Sequence, residues 1–274
     1  MDRFSLWSMR VGRILFGVAL FGIGIQHIIL GDFIIGRAPA WPVGIPGRMV
    51  WACVTGILMM IPLPAIIIGK AARNSLLTCG VVIFGWAFLR HIPVLLSNIH
   101  SGLEWTNTGK ALALSGGAFI LAASFSVNHS EAVGRSGIAG PFSSQLLLPG
   151  RIFVGIFFII GAIQHFIYAD FVKFLVPGWI PGGLFWTYFA GVALAAGGLG
   201  LISGILLRQA AMLSGSMIFL WVVLLHASRV LTIGDANEWT ALFEAMAFSS
   251  SMLVLGGRLY RDQLLMPPLA AEAQ

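Results

Sequence analysis

Residues 12–33 read GRILFGVALFGIGIQHIILGDF, and residues 150–171 read GRIFVGIFFIIGAIQHFIYADF. At one offset of 138, Gly12-Arg13-Ile14 meets Gly150-Arg151-Ile152, Gln26-His27 meets Gln164-His165, Asp32-Phe33 meets Asp170-Phe171, and Pro39-x-Trp41 meets Pro177-x-Trp179. Shortening the first loop by three residues brings Ile45-Pro46-Gly47 onto Ile180-Pro181-Gly182, Trp51 onto Trp186, Arg73 onto Arg208, Trp86 onto Trp221 and His91 onto His226. One further deletion brings Glu104-Trp105-Thr106 onto Glu238-Trp239-Thr240. Eight of nine tryptophans and four of six histidines thus fall in register. That is too many uncommon residues for chance, and self-similarity at a fixed period marks a repeated structural unit.

The repeated unit is a membrane unit. Hydrophobic residues make up 58% of the chain and charged residues 9%, against about 25% charged in a soluble domain. So little polar surface cannot cover a water-soluble globule, and lipid is the solvent for most side chains. About 20 apolar residues cross a bilayer. The stretches that qualify are Val11–Leu30, Met49–Ile68, Ser75–Leu96 and Trp105–Val127, then Ile152–Tyr168, Leu184–Leu207, Ala210–Leu231 and Trp239–Gly256. The predicted fold class is therefore all-α integral membrane, with eight transmembrane helices as two parallel-repeat four-helix bundles. Residues 1–127 form the first unit, 128–148 a Ser- and Gly-rich linker, 149–258 the second unit and 259–274 a tail.

Each unit has an even number of spans, so both enter the membrane in the same direction and the pseudo-twofold axis lies along the membrane normal. Ten of the 16 Lys and Arg residues, among them Arg10, Arg13, Arg73, Arg208 and Arg258, fall on the side of the N-terminus. The positive-inside rule then places both termini in the cytoplasm, in a bacterial-type inner membrane. The apolar run of the first span is longer than a signal-peptide core of roughly 7–15 residues, so it reads as a retained helix. The net charge of +6 is spread singly over helix ends rather than gathered along a phosphate-tracking surface, which excludes nucleic acid as a partner.

The residues that could carry chemistry are few. His27 and His91 each lie about 16 residues, roughly 24 Å, from the cytoplasmic start of their helices, so the first and third spans place an imidazole at one depth. His165 and His226 repeat the arrangement. Gln26 and Gln164 precede the first-span histidines. A polar side chain at that depth faces the bundle, a cavity or the headgroups. Three readings follow: histidines that hydrogen-bond neighbouring helices, a pocket for a quinone or similar amphiphile, or a non-covalent bis-His haem, since no CxxCH attachment motif occurs. No metal site is assigned. Arg90 and Arg229 lie beside His91 and His226, and read either as headgroup contacts or as captors of an anion, Asp32 or Asp170. Lys110 aligns with Glu244, opposite charges at equivalent positions, which fits a bridge between the halves or separate snorkelling. Cys53 and Cys79 start their helices at opposite membrane faces, too far apart for a disulfide. The proline-rich loop from Pro39 to Pro46, echoed at Pro177–Pro181, cannot be helical throughout and reads as a tryptophan-anchored lid over the histidine end.

From Arg151 to Leu201 the chain reads R-I-x(11)-Q-H-F-x-Y-x-D-F, then V-P-G-W-I-P, then W-T-Y-F-A-G-x(5)-G-G-L-G-L. This order resembles the DoxX-like membrane proteins, four-helix bundles, and the first half is a looser version of it, so the chain looks like a tandem duplication of the DoxX-like unit. The resemblance implies association with redox systems: some members are membrane subunits of thiosulfate:quinone oxidoreductase, and others are partners of soluble redox enzymes. It implies a membrane anchor or quinone-facing subunit working beside other protein subunits. A structural or assembly subunit of a larger complex is the alternative, and a small-molecule transporter the third reading. Whether this chain is itself an enzyme stays open.

Overall fold

The computed structural model describes residues 3–125 and 141–265. Eight long helices organise them: α1 (Arg3–Leu30), α2 (Arg48–Ile68), α3 (Ala72–Ser97), α4 (Gly102–Ser124), α5 (Pro141–Ile167), α6 (Gly183–Ser203), α7 (Leu207–Thr232) and α8 (Ala236–Leu265). Pro62 marks a one-residue interruption in α2 at Ile61. Seven of the eight are long and apolar enough to cross a membrane. The exception, α4, has 23 residues but carries Glu104, Asn107 and Lys110 in its opening turns.

Position explains that composition. Helix α4 packs along α3, α5 and α8, and every residue from Ala113 to Ser124 is buried. A helix screened from lipid by protein needs no apolar surface all round. Helix α8 is the other inner helix, and it too is the less apolar kind, with Glu244 and a run of buried serines from Ser249 to Ser251.

Two predicted boundaries move. Helix α5 starts at Pro141, inside the predicted 128–148 linker, because Leu146 and Leu147 already pack against the core; Pro149 within it costs only one backbone bond. Helix α8 continues to Leu265, past the predicted end of the second unit at 258. The rest of the linker, 128–140, with residues 126–127 of the first unit and most of the tail, 266–274, lie outside the described residues.

Local backbone features recur between the halves. Gly69 (φ 74°) ends α2 and Gly204 (φ 81°) ends α6. Two residues later Ala71 (φ 57°) and Leu206 (φ 48°) occupy the left-handed region that non-glycine residues rarely enter. Ser115 Oγ donates to the Gly80 carbonyl (2.8 Å), as Ser249 Oγ does to that of Gly215 (2.9 Å). A single π-helical turn interrupts α3 at Ala87–His91 and α7 at Val222–His226.

The helices do not close into two separate bundles. Helix α1 packs along α8, and α5 along α4, so the first helix of each predicted unit runs against the last helix of the other. Small residues let these pairs approach. A Cβ on Gly12 would stand 3.0 Å from the Ser250 carbonyl oxygen, and one on Gly116 would stand 2.6 Å from that of Gly150. Close backbone approach at small residues is the main source of helix association in lipid. We therefore expect residues 1–125 and 141–274, expressed separately, each to fail to give a monodisperse, protease-resistant species, and co-expression to restore one. Size-exclusion profiles and limited proteolysis would check this.

Candidate functional site

Helices α1 to α4, the loop after α1 and the inner helix α8 surround a cavity of about 100 Å³. His27 reaches it from α1, and His91 and Arg90 from α3. Asn107 reaches it from α4 and Glu244 from α8. Thus one half supplies most of the wall and the other half completes it.

His27 is set by a close helix crossing. Its Cβ lies 3.1 Å from where a Cβ on Gly56 would stand, so only glycine at 56 lets α2 come so near. Its Nδ1 donates to the Ile23 carbonyl at 2.8 Å. With that proton on Nδ1, the neutral ring presents Nε2 as an acceptor. His165 repeats both features, against Gly191 and with a 2.7 Å bond to the Gly161 carbonyl.

The third-helix histidines behave differently, and each closes a π turn. The Ala87 carbonyl, four residues before His91, accepts from the Ile92 N–H, and His91 Nδ1 is buried without a partner. At the other π turn the Val222 carbonyl accepts from the Ala227 N–H, and His226 Nδ1 is likewise unpartnered. Insertions of this kind occur frequently at functional sites. Asn107 spends its Nδ2 on the Gly36 carbonyl at 3.1 Å, which leaves its Oδ1 buried and unpaired.

Over the cavity the predicted lid is present in the first half. Phe33 and Trp41 stack at 5.7 Å with an interplanar angle of 9°, and Trp86 meets both edge-on. The Arg90 guanidinium lies 4.6 Å from the Phe33 ring centre and 4.9 Å from that of Trp41. It also donates to the Pro39 carbonyl. Arg90 is therefore a latch buried under aromatic rings, where cation–π attraction replaces hydration. The second half has Leu225 where the first has Arg90. There Phe171, Phe174 and Trp179 are each more than 60% exposed, and His165 and His226 are only half-buried.

Other assignments change. Gln26 Nε2 donates to the Ala236 carbonyl (3.0 Å), and its Oε1 accepts from Thr240 (3.0 Å). Gln164 makes the same two bonds to Gly102 (2.7 Å) and Thr106 (2.8 Å). Both amides clamp an outer helix to an inner one, and neither is among the residues lining the cavity. Arg229 pairs through two bonds with Glu238 rather than with an anion, a headgroup or Asp170. Asp170 instead meets Lys173 at 2.7 Å, whose hydrogen bond holds the carboxyl below its ordinary range. Asp32 meets Arg48 at 3.4 Å. Both cysteines are free thiols.

Lys110 and Glu244 do bridge the halves. Lys110 Nζ lies 2.8 Å from Glu244 Oε2, and Arg37 Nη1 lies 3.3 Å from the same oxygen. The roles of Arg37 and Asn107 were not singled out in the sequence, although an Asn one turn from a Lys inside a crossing helix was the available signal. Among the described residues, no group of three or more His, Cys, Asp or Glu could hold a metal ion. A cavity of about 100 Å³ is also far too small for a porphyrin, so the bis-imidazole haem reading has no room.

The DoxX family model matches residues 146–227. Residues 146–227 are thus DoxX-like, within a chain of membrane-crossing helices. The match spans α6 and nearly all of α5, and extends through the π turn of α7 to the residue after His226, so it covers His165, the second loop and His226. None of the residues that line the cavity falls within the match. No curated protein matches the chain, and no solved structure does.

Two outcomes test the geometry. Arg90→Ala should release Trp41, seen as a rise in acrylamide-quenchable tryptophan fluorescence with unchanged helicity by far-UV circular dichroism. Glu244→Leu should leave Lys110 buried without its partner, a change that costs about 3–5 kcal/mol. Lys110→Met together with Glu244→Leu should recover much of that loss in thermal unfolding in detergent.

Proposed function

We propose that this DoxX-like protein is the membrane subunit of a redox system and seats the oxygen-bearing edge of a quinone-type ring in the first cavity. The observation that carries the reading is convergence: two imidazoles from different helices, His27 and His91, line one cavity beside Asn107 and Glu244. The volume is about two thirds of the roughly 150 Å³ cavity that takes benzene. It therefore fits one ring edge, with the remainder of the ring directed toward the Trp41 lid.

The same reading takes the chain as a tandem duplication with eight crossings, α4 included, in a bacterial-type inner membrane with both termini cytoplasmic. The recurrent π turns, left-handed residues and Gln clamps support the duplication. The excess of Arg and Lys on the terminal side supports the orientation. Electrons would come from a partner subunit. The exposed aromatics of the second loop, Phe171, Phe174 and Trp179, favour the alternative of a structural or assembly subunit, because they offer a surface for another chain.

A lipid extract and an ultraviolet–visible spectrum of the purified protein test this. Quinone should co-purify with the wild type and be lost from His27→Ala and His91→Ala, which remain inserted and helical. If the two variants retain quinone at the wild-type ratio, or if the wild type carries none and binds none when it is added, the site assignment fails.

A further inference from the structure

We infer that the first cavity takes a ring bearing a negatively charged oxygen in preference to a neutral ring, with Arg90 as the counter-charge. The inference rests on the quinone reading above and adds the charge of the ring that is bound.

Arg90 is only 8% exposed, and its side chain lines the cavity. A guanidinium stays protonated, so a full positive charge stands there among apolar helices. Such a charge is expensive to hold without an opposite one. Neither carboxylate in its surroundings is available to it. Asp32 acts on Arg90 from the first loop, but one of its oxygens lies 3.4 Å from Arg48 and the other accepts from the Phe33 N–H. Glu244, on the cavity wall, already receives Lys110 and Arg37. Among the described residues no carboxylate forms an ion pair with Arg90. The rings of Phe33 and Trp41 and the Pro39 carbonyl hold it instead. Stacking occupies the faces of the guanidinium, whereas its further N–H donors lie in the plane, at the edge. An anionic oxygen at that edge supplies the missing counter-charge and a charge-assisted hydrogen bond. A neutral carbonyl can accept there too, but it leaves the charge unbalanced. Glu244 and the His27 Nε2 acceptor disfavour an oxyanion beside them, so the charged oxygen belongs under the Trp41 lid. The neutral oxygen of the ring then points toward the histidines.

Equilibrium dialysis of the full-length protein, with the same detergent on both sides of the membrane, tests this. The probes are 2-hydroxy-1,4-naphthoquinone, which is ionised at neutral pH, and 2-methyl-1,4-naphthoquinone, a neutral ring of nearly equal volume. The wild type should bind the hydroxy compound at least about tenfold more tightly, as a hydrogen bond to a charged group allows. Arg90→Gln keeps an N–H donor and removes the charge, so it should bring the two affinities together by weakening the hydroxy compound. Arg90→Lys should retain the preference. The comparison on the wild type stands even if neither variant folds. A smaller preference in the wild type, tighter binding of the methyl compound, or a preference that survives in folded Arg90→Gln overturns the inference and leaves the quinone reading intact. Binding of neither probe overturns both.

Discussion

One carboxylate joins the two halves of this protein. Glu244 sits on an inner helix among lipid-crossing segments, and its Oε2 receives Lys110 from the other inner helix and Arg37 from the loop that closes the cavity. In a low-dielectric setting none of the three charges is tolerable alone, and each is placed by the others. The pair fixes the register of α4 against α8. Arg37 in turn ties the first loop to α8, through Asn237 as well as Glu244. The cavity wall is complete only because that contact draws α8 into the first half.

From this contact outward, the two ends of the helix assembly are secured by different means. The Gln clamps at Gln26 and Gln164 satisfy an amide in the apolar layer by tying it to an inner helix. At the other end, Arg13 donates to the hydroxyl and the carbonyl of Ser124, and Arg258 to the carbonyl of Ala123. They supply positive charge where the last carbonyls of α4 lack helical partners. Interhelical bonds in membranes are individually modest, about 0.6 kcal/mol on average, so the arrangement depends on the number of clamps and on close glycine packing together.

Much of this was legible from residue pairing. The offsets that matched His27 with His165 and Lys110 with Glu244 located the helices within a few residues and led to the ion pair between the halves. What the sequence did not reveal has physical causes. The π turns depend on backbone bonding that no residue type announces, and the two unpartnered histidine nitrogens belong to residues in them. The roles of Gln26 and Gln164 depended on which helix lay beside them, and the crossed packing of α1 on α8 put Thr240 there instead of a ligand. The lid was expected in both halves. Only the first has an arginine at position 90 to lie beneath the aromatic rings, and Leu225 offers no charge for Trp179 to cover.

Crossed packing also orders events in time. Helix α1 is synthesised first, yet its long partner α8 begins at Ala236, 206 residues after Leu30. At about 5–20 residues per second, translation of that interval takes roughly 10–40 s. Throughout it, the Gly12 face of α1 has only lipid or insertion machinery to lean on, and the amide of Gln26 waits for Thr240. The contacts that seat α1 thus form only after α8 has been made, and the packing of the first unit is coupled to the synthesis of the second.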